Sequence, residues 1–291
     1  MTALEALRAA LGDAVSTSAR DLEDARADKS GYVSSSKPLA VVTPRTINDV
    51  QAAMRIATQF AVPVVTRGAG TGLAGGATAH SGELVLSTRG LDRIREISTL
   101  DEIAIVEAGV INGDLNDQLA PLGYFFAPDP ASRAISTIGG NIATNAGGLL
   151  CAKYGVTREA VLGLTVVLAD GTLLTLGRRS VKGVTGLDLT ALLVGSEGTL
   201  GVIVEAIVRI RPRPRTAPAT VSAWFPDVDT ALTACAAITA TGTVPAIMEL
   251  VDAASVTAIS SHLSAIADGD AAIPRGSRDL VHLLVQVDGA A

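Results

Sequence analysis

The apolar positions of the chain follow two periods, an alternation typical of strands and a spacing of three to four residues typical of helices. Residues 46–60 carry one apolar helical face, at positions 50, 53, 54, 57 and 60, and Thr46 is a suitable N-terminal cap. Strands are predicted at 39–43, 62–66, 83–87, 103–110, 162–169, 172–176 and 200–210, with a second helix at 112–122. Asp170 and Gly171 predict a hairpin between two of these strands. The pattern indicates mixed α and β structure.

A domain boundary is predicted at the Arg-Pro repeat of residues 211–215, a rigid and charged stretch after which alanine, threonine and valine dominate. Beyond it, strands are predicted at 220–225, 246–251 and 281–287, and helices at 228–241 and 253–267. The start of the chain predicts a short amphipathic helix. Three parts are therefore expected: an N-terminal helical extension (1–37), a first domain (38–215) and the opening half of a second α+β domain (216–291).

The composition excludes several classes of protein. With 48% hydrophobic and 18% charged residues and a mean hydropathy of +0.41, the chain is typical of folded proteins rather than disordered ones. Acidic residues outnumber basic ones by 29 to 23, which disfavours nucleic acid or an anionic membrane as a partner. Cys151 and Cys235 lie too far apart for a disulfide framework or a zinc signature. Since neither a signal peptide nor a membrane-spanning run is seen, we expect a cytoplasmic protein.

Glycine is concentrated in the middle of the chain, where 14 of the 29 glycines lie between Gly68 and Gly148. Because glycine lets a backbone approach another body closely, this region is predicted to surround a ligand. Three clusters carry the expectation: RGAGTGLAGG (67–76), PDPAS with STIGGNIATNAGG (128–132 and 136–148), and VGSEGTLGVI (194–203).

The first cluster has several interpretations. Gly70, Gly72 and Gly75 have the spacing of a dinucleotide fingerprint, but a strand rather than a helix is predicted after them, which disfavours a Rossmann site. A nucleotide P-loop requires a lysine that this loop lacks. Two interpretations stay open: a hairpin loop without a ligand, and a nest of backbone amides around a phosphate, with further donors from Arg67 or Thr71.

The second cluster combines glycine with small and amide-bearing residues. Asn141, Thr144 and Asn145 offer donors and acceptors to a flat or charged ligand. The same residue types also cap helices and form turns, so this cluster alone does not decide between the two roles. The third cluster is a glycine turn that leads into a strand, and by itself it predicts little.

Taken together, the motifs resemble one family. RGAGTGLAGG, PDPAS, TIGGNIATNAGG, CAKYGVTREAVLGL, KGVTGLDLT and VGSEGTLGVI occur in this order. The combination is similar to the flavin-binding half of FAD oxidoreductases of the vanillyl-alcohol-oxidase and p-cresol-methylhydroxylase (PCMH) type, and most similar to the glycolate oxidase flavin subunit and D-lactate dehydrogenase group. The resemblance implies an α+β fold: a PCMH-type FAD-binding domain of two subdomains at 38–215, followed by the start of an α+β substrate (cap) domain.

The resemblance also implies a set of cofactor-binding residues. The first loop is expected to wrap the FAD pyrophosphate, the second cluster to line the flavin, and the third to lie along the adenosine or ribityl side. The expected residues are Arg67, Gly68, Ala69, Gly70, Thr71, Gly72, Leu73, Gly75, Gly76, Pro128, Thr137, Gly139, Gly140, Asn141, Thr144, Asn145, Gly147, Gly148, Glu197, Gly198, Gly201 and Val202. The first loop contains no histidine, so FAD is expected to bind non-covalently, and Cys151 is expected to be a small buried thiol.

The implied reaction is oxidation of a small 2-hydroxy acid of the glycolate or D-lactate type, with hydride transfer to flavin N5. No catalytic base is identified, no metal site is expected, and His80, His262 and His282 are expected to be incidental. Because the family continues past residue 291, we expect a complete cofactor module whose catalytic half is missing. A partner chain that supplies the cap or electron transfer, and a homo-oligomer, both fit this expectation.

Two alternatives stay open. One is a non-catalytic FAD-binding subunit of an electron-transfer complex. The other is a different enzyme on the same fold, such as a sugar-lactone oxidase or the enolpyruvyl-sugar reductase of cell-wall synthesis. Ala131, Gly183 and Leu187 stand where the family pattern has serine, aspartate and tyrosine, which puts local contacts in doubt.

Overall fold

The computed structural model describes residues 1–266 and 279–289. It divides into two compact units, the first made of Met1–Gly148 and Val156–Arg213 and the second of Leu149–Gly155 and Pro214–Ala291. In chain order the elements are α1 (Ala3–Leu11), β1 (Val15–Ser16), α2 (Ala19–Asp24), β2 (Ala40–Val42), α3 (Ile47–Gln59), β3 (Val64–Arg67), β4 (Leu84–Ser87), β5 (Ile94–Ser98), β6 (Ile103–Glu107), α4 (Asn112–Leu119), β7 (Tyr124–Phe125), α5 (Ile138–Ala143), α6 (Cys151–Tyr154), α7 (Thr157–Ala160), β8 (Val161–Val167), β9 (Leu173–Gly177), α8 (Leu189–Leu193), β10 (Val202–Arg209), β11 (Arg211–Pro212), β12 (Ala219–Phe225), α9 (Val228–Ala240), β13 (Ile247–Val251), α10 (Ala253–Ile266) and β14 (Val281–Val287).

The first unit begins with a four-stranded sheet in the order β1-β2-β4-β3. Strands β2, β3 and β4 are parallel, and β1 pairs antiparallel with β2. Helix α3 connects β2 to β3 and buries the predicted face, Val50, Ala53, Met54 and Ala57, in the core that also contains Leu84 and Leu86. Leu7 of α1 is buried in the same core, so the N-terminal helix packs as part of this unit.

The start of α3 is fixed as the sequence predicts. The Thr46 hydroxyl accepts a hydrogen bond from the Asp49 amide (3.2 Å), and the Asp49 carboxylate accepts one from the Thr46 amide (3.0 Å). This reciprocal capping box satisfies two amide donors that a helix end would otherwise leave unpaired.

The second part of the first unit is an antiparallel sheet in the order β5-β6-β10-β8-β9. The predicted hairpin around Asp170 and Gly171 is confirmed, since β8 and β9 pair antiparallel, with Val166 opposite Leu174. Apolar residues of β6, β8 and β10 pack with Ile138 and Ile142 of α5, which places α5 against this sheet. The short strands β7 and β11 pair beside it.

The second unit contains a three-stranded antiparallel sheet in the order β12-β14-β13. Val281 and Leu283 of β14 are buried together with Ala231 of α9 and Val256 of α10. The predicted strands and helices of this region are therefore present, while the predicted end of the last helix, Ala267, lies outside the described residues.

Several short elements were not predicted. The six-residue helix α5 contains two glycines, which have low helix propensity. Strand β5 lies at a sheet edge and carries Arg95 and Glu96, so it lacks the apolar run of a buried strand. Helix α2 spans only six residues and buries no side chain.

A buried ion pair connects the two chain segments of the second unit. Lys153 Nζ lies 2.7 Å from Asp288 Oδ1, with side chains 6% and 12% exposed, and Tyr154 Oη donates to Asp288 Oδ2 (2.5 Å). Burial acts to raise the pKa of the Asp288 carboxyl, but the hydrogen bonds from Lys153 and Tyr154 and the lysine charge outweigh it and hold the pKa below its usual range.

We predict that Asp288→Asn destabilises the second unit by about 1–3 kcal/mol at pH 7, because the substitution leaves the Lys153 ammonium buried without a counter-charge. Because the pKa of Asp288 is lower in the folded than in the unfolded protein, its ionised carboxylate stabilises the fold above the unfolded pKa of about 4. This stabilisation is lost as the pH falls through the folded-state pKa. The difference between wild type and variant should therefore shrink below about pH 4. Urea unfolding followed by the fluorescence of Trp224, the single tryptophan, measures it. Asp229→Asn is the matched control at an exposed aspartate, and a difference that persists at pH 3 would contradict the role of the charge.

Candidate cofactor site

A cavity of about 830 Å3 lies in the first unit, and all three glycine clusters line it. Its volume is within the range of pockets that bind small molecules and cofactors. The lining consists of Asp28, Lys29, Thr66, Arg67, Gly68, Ala69, Gly70, Thr71, Gly72, Leu73, Ala74, Gly76, Ala77, Thr88, Pro130, Ala131, Ser132, Ile135, Thr137, Gly139, Gly140, Asn141, Ala143, Thr144, Ala146, Gly147, Glu197, Gly198, Gly201, Val202 and Ile203.

The glycine clusters come together at points where no side chain would fit. A Cβ atom added to Gly68 would overlap the hydroxyl of Thr137, which joins the first cluster to the second. A Cβ on Gly76 would overlap the carboxylate of Glu197, and one on Gly198 would overlap Thr66, so the third cluster also lies against the first. The three motifs, distant in sequence, therefore form one wall of close backbone approaches.

The loop 70–76 has two features that are typical of anion-binding loops. Gly70 (φ 71°) and Gly75 (φ 85°) adopt left-handed backbone conformations of the kind found in backbone nests. Within the described ranges, the amides of residues 70–76 donate no hydrogen bond to the protein. These donors are therefore free to bind an anionic ligand.

Helix α5 differs from the loop, because its first amides are already paired. The amides of Ile138 and Gly139 donate to the carbonyls of Val110 and Ala108 (both 2.8 Å), and that of Gly140 to the Thr137 hydroxyl (3.1 Å). The helix start is thus fixed by the protein, and the loop rather than the helix supplies free amide donors.

Asn141 of α5 carries a buried donor. The residue is 3% exposed and lines the cavity, and its Nδ2 atom has no hydrogen-bond partner in the part of the chain that the structure describes. An unpaired buried amide costs about 1–3 kcal/mol, so its position at the cavity wall points to a ligand that accepts its hydrogen bond.

Four charged residues, Asp28, Lys29, Arg67 and Glu197, belong to the described lining of the cavity, and Asp28 and Arg67 act on each other. Burial lowers the pKa of the Arg67 guanidinium, and the carboxylate of Asp28 acts in the opposite direction. Burial would raise the pKa of Asp28, but hydrogen bonding, chiefly with Ser30, and the Arg67 charge keep it below its usual range. Both groups are therefore ionised at neutral pH.

Most of the residues predicted from the sequence line this cavity, but four lie outside its lining: Gly75, Pro128, Asn145 and Gly148. Each has a partner within the protein. The carbonyl of Gly75 accepts from the Thr78 amide, that of Pro128 accepts from Asn112 Nδ2 (2.9 Å), and Asn145 Oδ1 accepts from the Arg158 amide (3.0 Å). Gly148 packs against the backbone of Asp129.

Thirteen lining residues were not predicted from the sequence: Asp28, Lys29, Thr66, Ala74, Ala77, Thr88, Pro130, Ala131, Ser132, Ile135, Ala143, Ala146 and Ile203. Seven of them lie within the quoted motifs but were not named as contacts, and Thr66, Ala77 and Ile135 lie next to those motifs. Asp28 and Lys29 come from the N-terminal extension, where no local pattern pointed to a ligand.

The described lining of the cavity includes no histidine. His80 is exposed and bonds to the Ser34 hydroxyl through Nδ1 (2.9 Å). His282 belongs to β14, where its ring packs on Trp224, and His262 lies in α10. The predicted burial of Cys151 is wrong, because this residue is partly exposed at the start of the short helix α6.

Among residues 1–266 and 279–289, no group of His, Cys, Asp and Glu side chains is arranged to hold a metal ion. Within the same residues, no helix has the length and apolar character needed to cross a membrane.

Two family models match the chain. Residues 38–177 match an FAD-binding domain, and residues 215–290 match the C-terminal domain of FAD-linked oxidases. The chain therefore contains an FAD-binding domain and a segment of the C-terminal domain of FAD-linked oxidases. The FAD-binding match covers the first two glycine clusters, and the resemblance predicted from the ordered motifs is confirmed.

Three curated relatives show how far the similarity extends. The glycolate oxidase subunit GlcD of Bacillus subtilis (strain 168) is 42% identical over 227 residues, 78% of this chain and 48% of the relative. The D-2-hydroxyglutarate dehydrogenase of Xanthomonas citri pv. viticola is 44% identical, covering 61% of this chain and 38% of the relative. The D-lactate dehydrogenase of Archaeoglobus fulgidus is 42% identical, with coverage of 60% and 39%. The chain thus spans about half the length of the curated relatives it matches.

A solved structure shows the same fold. An alkyldihydroxyacetonephosphate synthase superposes with a TM-score of 0.76 at 21% identity, covering 96% of this chain and 54% of that chain. The predicted fold class, an α+β PCMH-type FAD-binding domain followed by the start of a second domain, is confirmed.

We predict that Gly139→Ala destabilises the first unit by about 1–3 kcal/mol, the usual cost of overpacking a core. The new Cβ would lie 2.6 Å from Ala108 Cβ and 2.9 Å from its carbonyl oxygen, neither of which is free to move. Gly113→Ala in α4 is the matched control at a helical glycine, since its Cβ would come no closer than 3.3 Å to another atom. Urea unfolding followed by circular dichroism compares them, and equal losses would argue against the close packing of α5 on Ala108.

Proposed function

We propose that this chain provides the FAD-binding part of an oxidoreductase that oxidises a small D-2-hydroxy acid of the glycolate, D-lactate or D-2-hydroxyglutarate type. The observation that carries the proposal is the convergence of three glycine clusters on one cavity, with free loop amides and an unpaired Asn141 donor. The names of the similar proteins support the substrate class, since all three act on 2-hydroxy acids by name.

The residues present fit FAD. The free amides of residues 70–76 would hold the diphosphate, because a nest of backbone donors neutralises a phosphate without side-chain cations. Asn141 Nδ2 would donate to an acceptor on the cofactor, and the close-packed glycines leave room for a flat group beside the backbone. Non-covalent binding is supported by the cavity lining, which includes neither histidine nor cysteine among the described residues.

When bound, FAD supplies the acceptor, flavin N5, for the hydrogen that leaves the substrate Cα. The chain's own contribution would be to hold the cofactor between the capped helix α5, the loop 70–76 and the turn at 195–201. A base must also remove the hydroxyl proton, and no described residue is assigned to that role.

A partner chain is part of the proposal. The similar proteins of Bacillus subtilis and Escherichia coli are named as subunits of glycolate oxidase. We therefore propose that the native protein assembles with at least one further chain, which takes up electrons or completes the substrate site.

We predict that Asn141→Asp weakens FAD binding about tenfold or more, because it replaces the amide donor of this side chain with an acceptor. A tenfold loss corresponds to about 1.4 kcal/mol, the contribution of a typical hydrogen bond. Titration of FAD fluorescence gives the dissociation constants. Asn145→Asp is the matched control, since this neighbouring side chain uses its oxygen on the Arg158 amide and lies outside the cavity lining. Equal losses in the two variants would argue against a direct role for Asn141.

The proposed function is tested in two steps with the native protein, isolated with any partner chains that it retains. In the first step, the visible spectrum after addition of FAD and gel filtration should show about one bound flavin per chain. A protein without bound flavin would overturn the cofactor assignment.

In the second step, D-lactate, D-2-hydroxyglutarate and glycolate are added anaerobically, with L-lactate as the matched control. Bleaching of the flavin absorbance by at least one of the three acids, and not by L-lactate, is the expected result. A bound flavin that dithionite bleaches but none of the acids does would overturn the substrate class and favour a non-catalytic flavin subunit.

A further inference from the structure

We propose that the N-terminal segment 24–29 is part of the cofactor site, and that Arg67 is the positioning residue that holds the glycine loop against this segment. The inference rests on the proposed function only for the identity of the ligand. The segment lies outside the matched FAD-binding domain, which begins at residue 38.

Arg67 donates hydrogen bonds to backbone carbonyls of the N-terminal segment and of the residue that follows the glycine loop. Its Nη2 atom donates to the carbonyls of Asp24 (3.1 Å) and Ala27 (2.9 Å), and its Nη1 atom donates to that of Ala77 (2.6 Å). Arg67 precedes the glycine loop and Ala77 follows it, so one guanidinium connects both ends of the loop to the N-terminal segment. Both Nη2 hydrogens are used in these contacts and are not available to a phosphate.

Two backbone hydrogen bonds place the same segment along the loop. The Lys29 amide donates to the Gly72 carbonyl, and the Ala79 amide donates to the Ala25 carbonyl, each at 3.0 Å. Because the Gly72 carbonyl accepts from Lys29, the segment fixes the orientation of the peptide plane between Gly72 and Leu73.

Gly70 shows how closely the loop covers the guanidinium. A Cβ atom at this position would lie 2.7 Å from Arg67 Cζ, and the φ angle of 71° is one that side chains rarely adopt. The glycine is therefore required for the loop to fold over Arg67, independently of any contact with a ligand.

The charged residues of the segment 24–29 also support its place at the cofactor site. Asp28 and Lys29 line the cavity, and the Asp28 carboxylate faces the charge of Arg67. This carboxylate offsets part of the guanidinium charge, so Arg67 acts as a donor to carbonyls more than as an attractor of phosphate. Lys29 is the cation of this segment that remains at the cavity for the anionic ligand.

The test compares Arg67→Ala and Arg67→Lys with wild type. Amide hydrogen exchange of the cofactor-free protein should become at least tenfold faster at the hydrogen-bonded amides of Lys29 and Ala79, while the amides of β8 and β10 keep their protection. FAD should bind about ten- to hundredfold more weakly to both variants, since lysine keeps the charge but cannot reach three carbonyls in one plane. If Arg67 instead contacts the diphosphate directly, exchange stays as in wild type and lysine restores most of the affinity, which would overturn the proposal.

A double-mutant cycle with Gly70→Ala provides the second measurement. If alanine at this position acts by displacing the guanidinium, it should weaken FAD binding much less in the Arg67→Ala background than in wild type. Gly82→Ala is the matched control for backbone strain, since Gly82 has φ 83° and nothing within 4 Å of an added Cβ. Additive effects of the two substitutions would contradict the positioning role. A wild-type protein that fails to bind FAD would overturn the proposed function. Because hydrogen exchange is measured without cofactor, it still tests the role of Arg67 in the loop in that case.

Discussion

The cavity depends on one constraint: three backbone segments approach one another more closely than any side chain permits. Gly68 lies against Thr137, Gly76 against Glu197 and Gly198 against Thr66, so the first and third clusters supply glycines where a neighbouring segment supplies a polar side chain. A Cβ at Gly68 or Gly198 would force the neighbouring threonine to move, whereas the exposed Glu197 carboxylate opposite Gly76 is free to turn away. The conformational entropy that such glycines lose on folding must therefore be offset by the packing on either side of the cavity.

Two cores provide that packing. The parallel sheet with α3 holds the strand that leads into the first glycine loop, and the antiparallel sheet holds α5 and the strand that follows the third cluster. Each functional loop therefore begins or ends at a buried element, which limits how far its amides can move. The unpaired Asn141 donor is consistent with this arrangement, because a rigid wall can keep a polar group unsatisfied until a ligand accepts its hydrogen bond.

The sequence predicted those parts of the fold whose signal is local. The apolar face of α3 with its Thr46 cap, and the Asp170-Gly171 hairpin, follow from periodicity and turn chemistry, and both are present. Helix α5 was not predicted because it contains Gly139 and Gly140, which allow close approach to neighbouring residues but have low helix propensity. Asp28 and Lys29 could not be predicted, since they reach the cavity through hydrogen bonds to residues more than forty positions away, a relation that no local pattern encodes.

The acidic composition of the chain is compatible with an anionic cofactor because the donors at the loop are backbone amides. A protein with a formal charge of −6 gives little long-range attraction to a diphosphate, and its half-buried arginine at this site donates to three carbonyl oxygens. Fixed amide dipoles need no counter-ion and, once the loop is folded, little reorganisation when the ligand arrives. The guanidinium therefore contributes to binding indirectly, because it stabilises the conformation of the loop that carries the free amides.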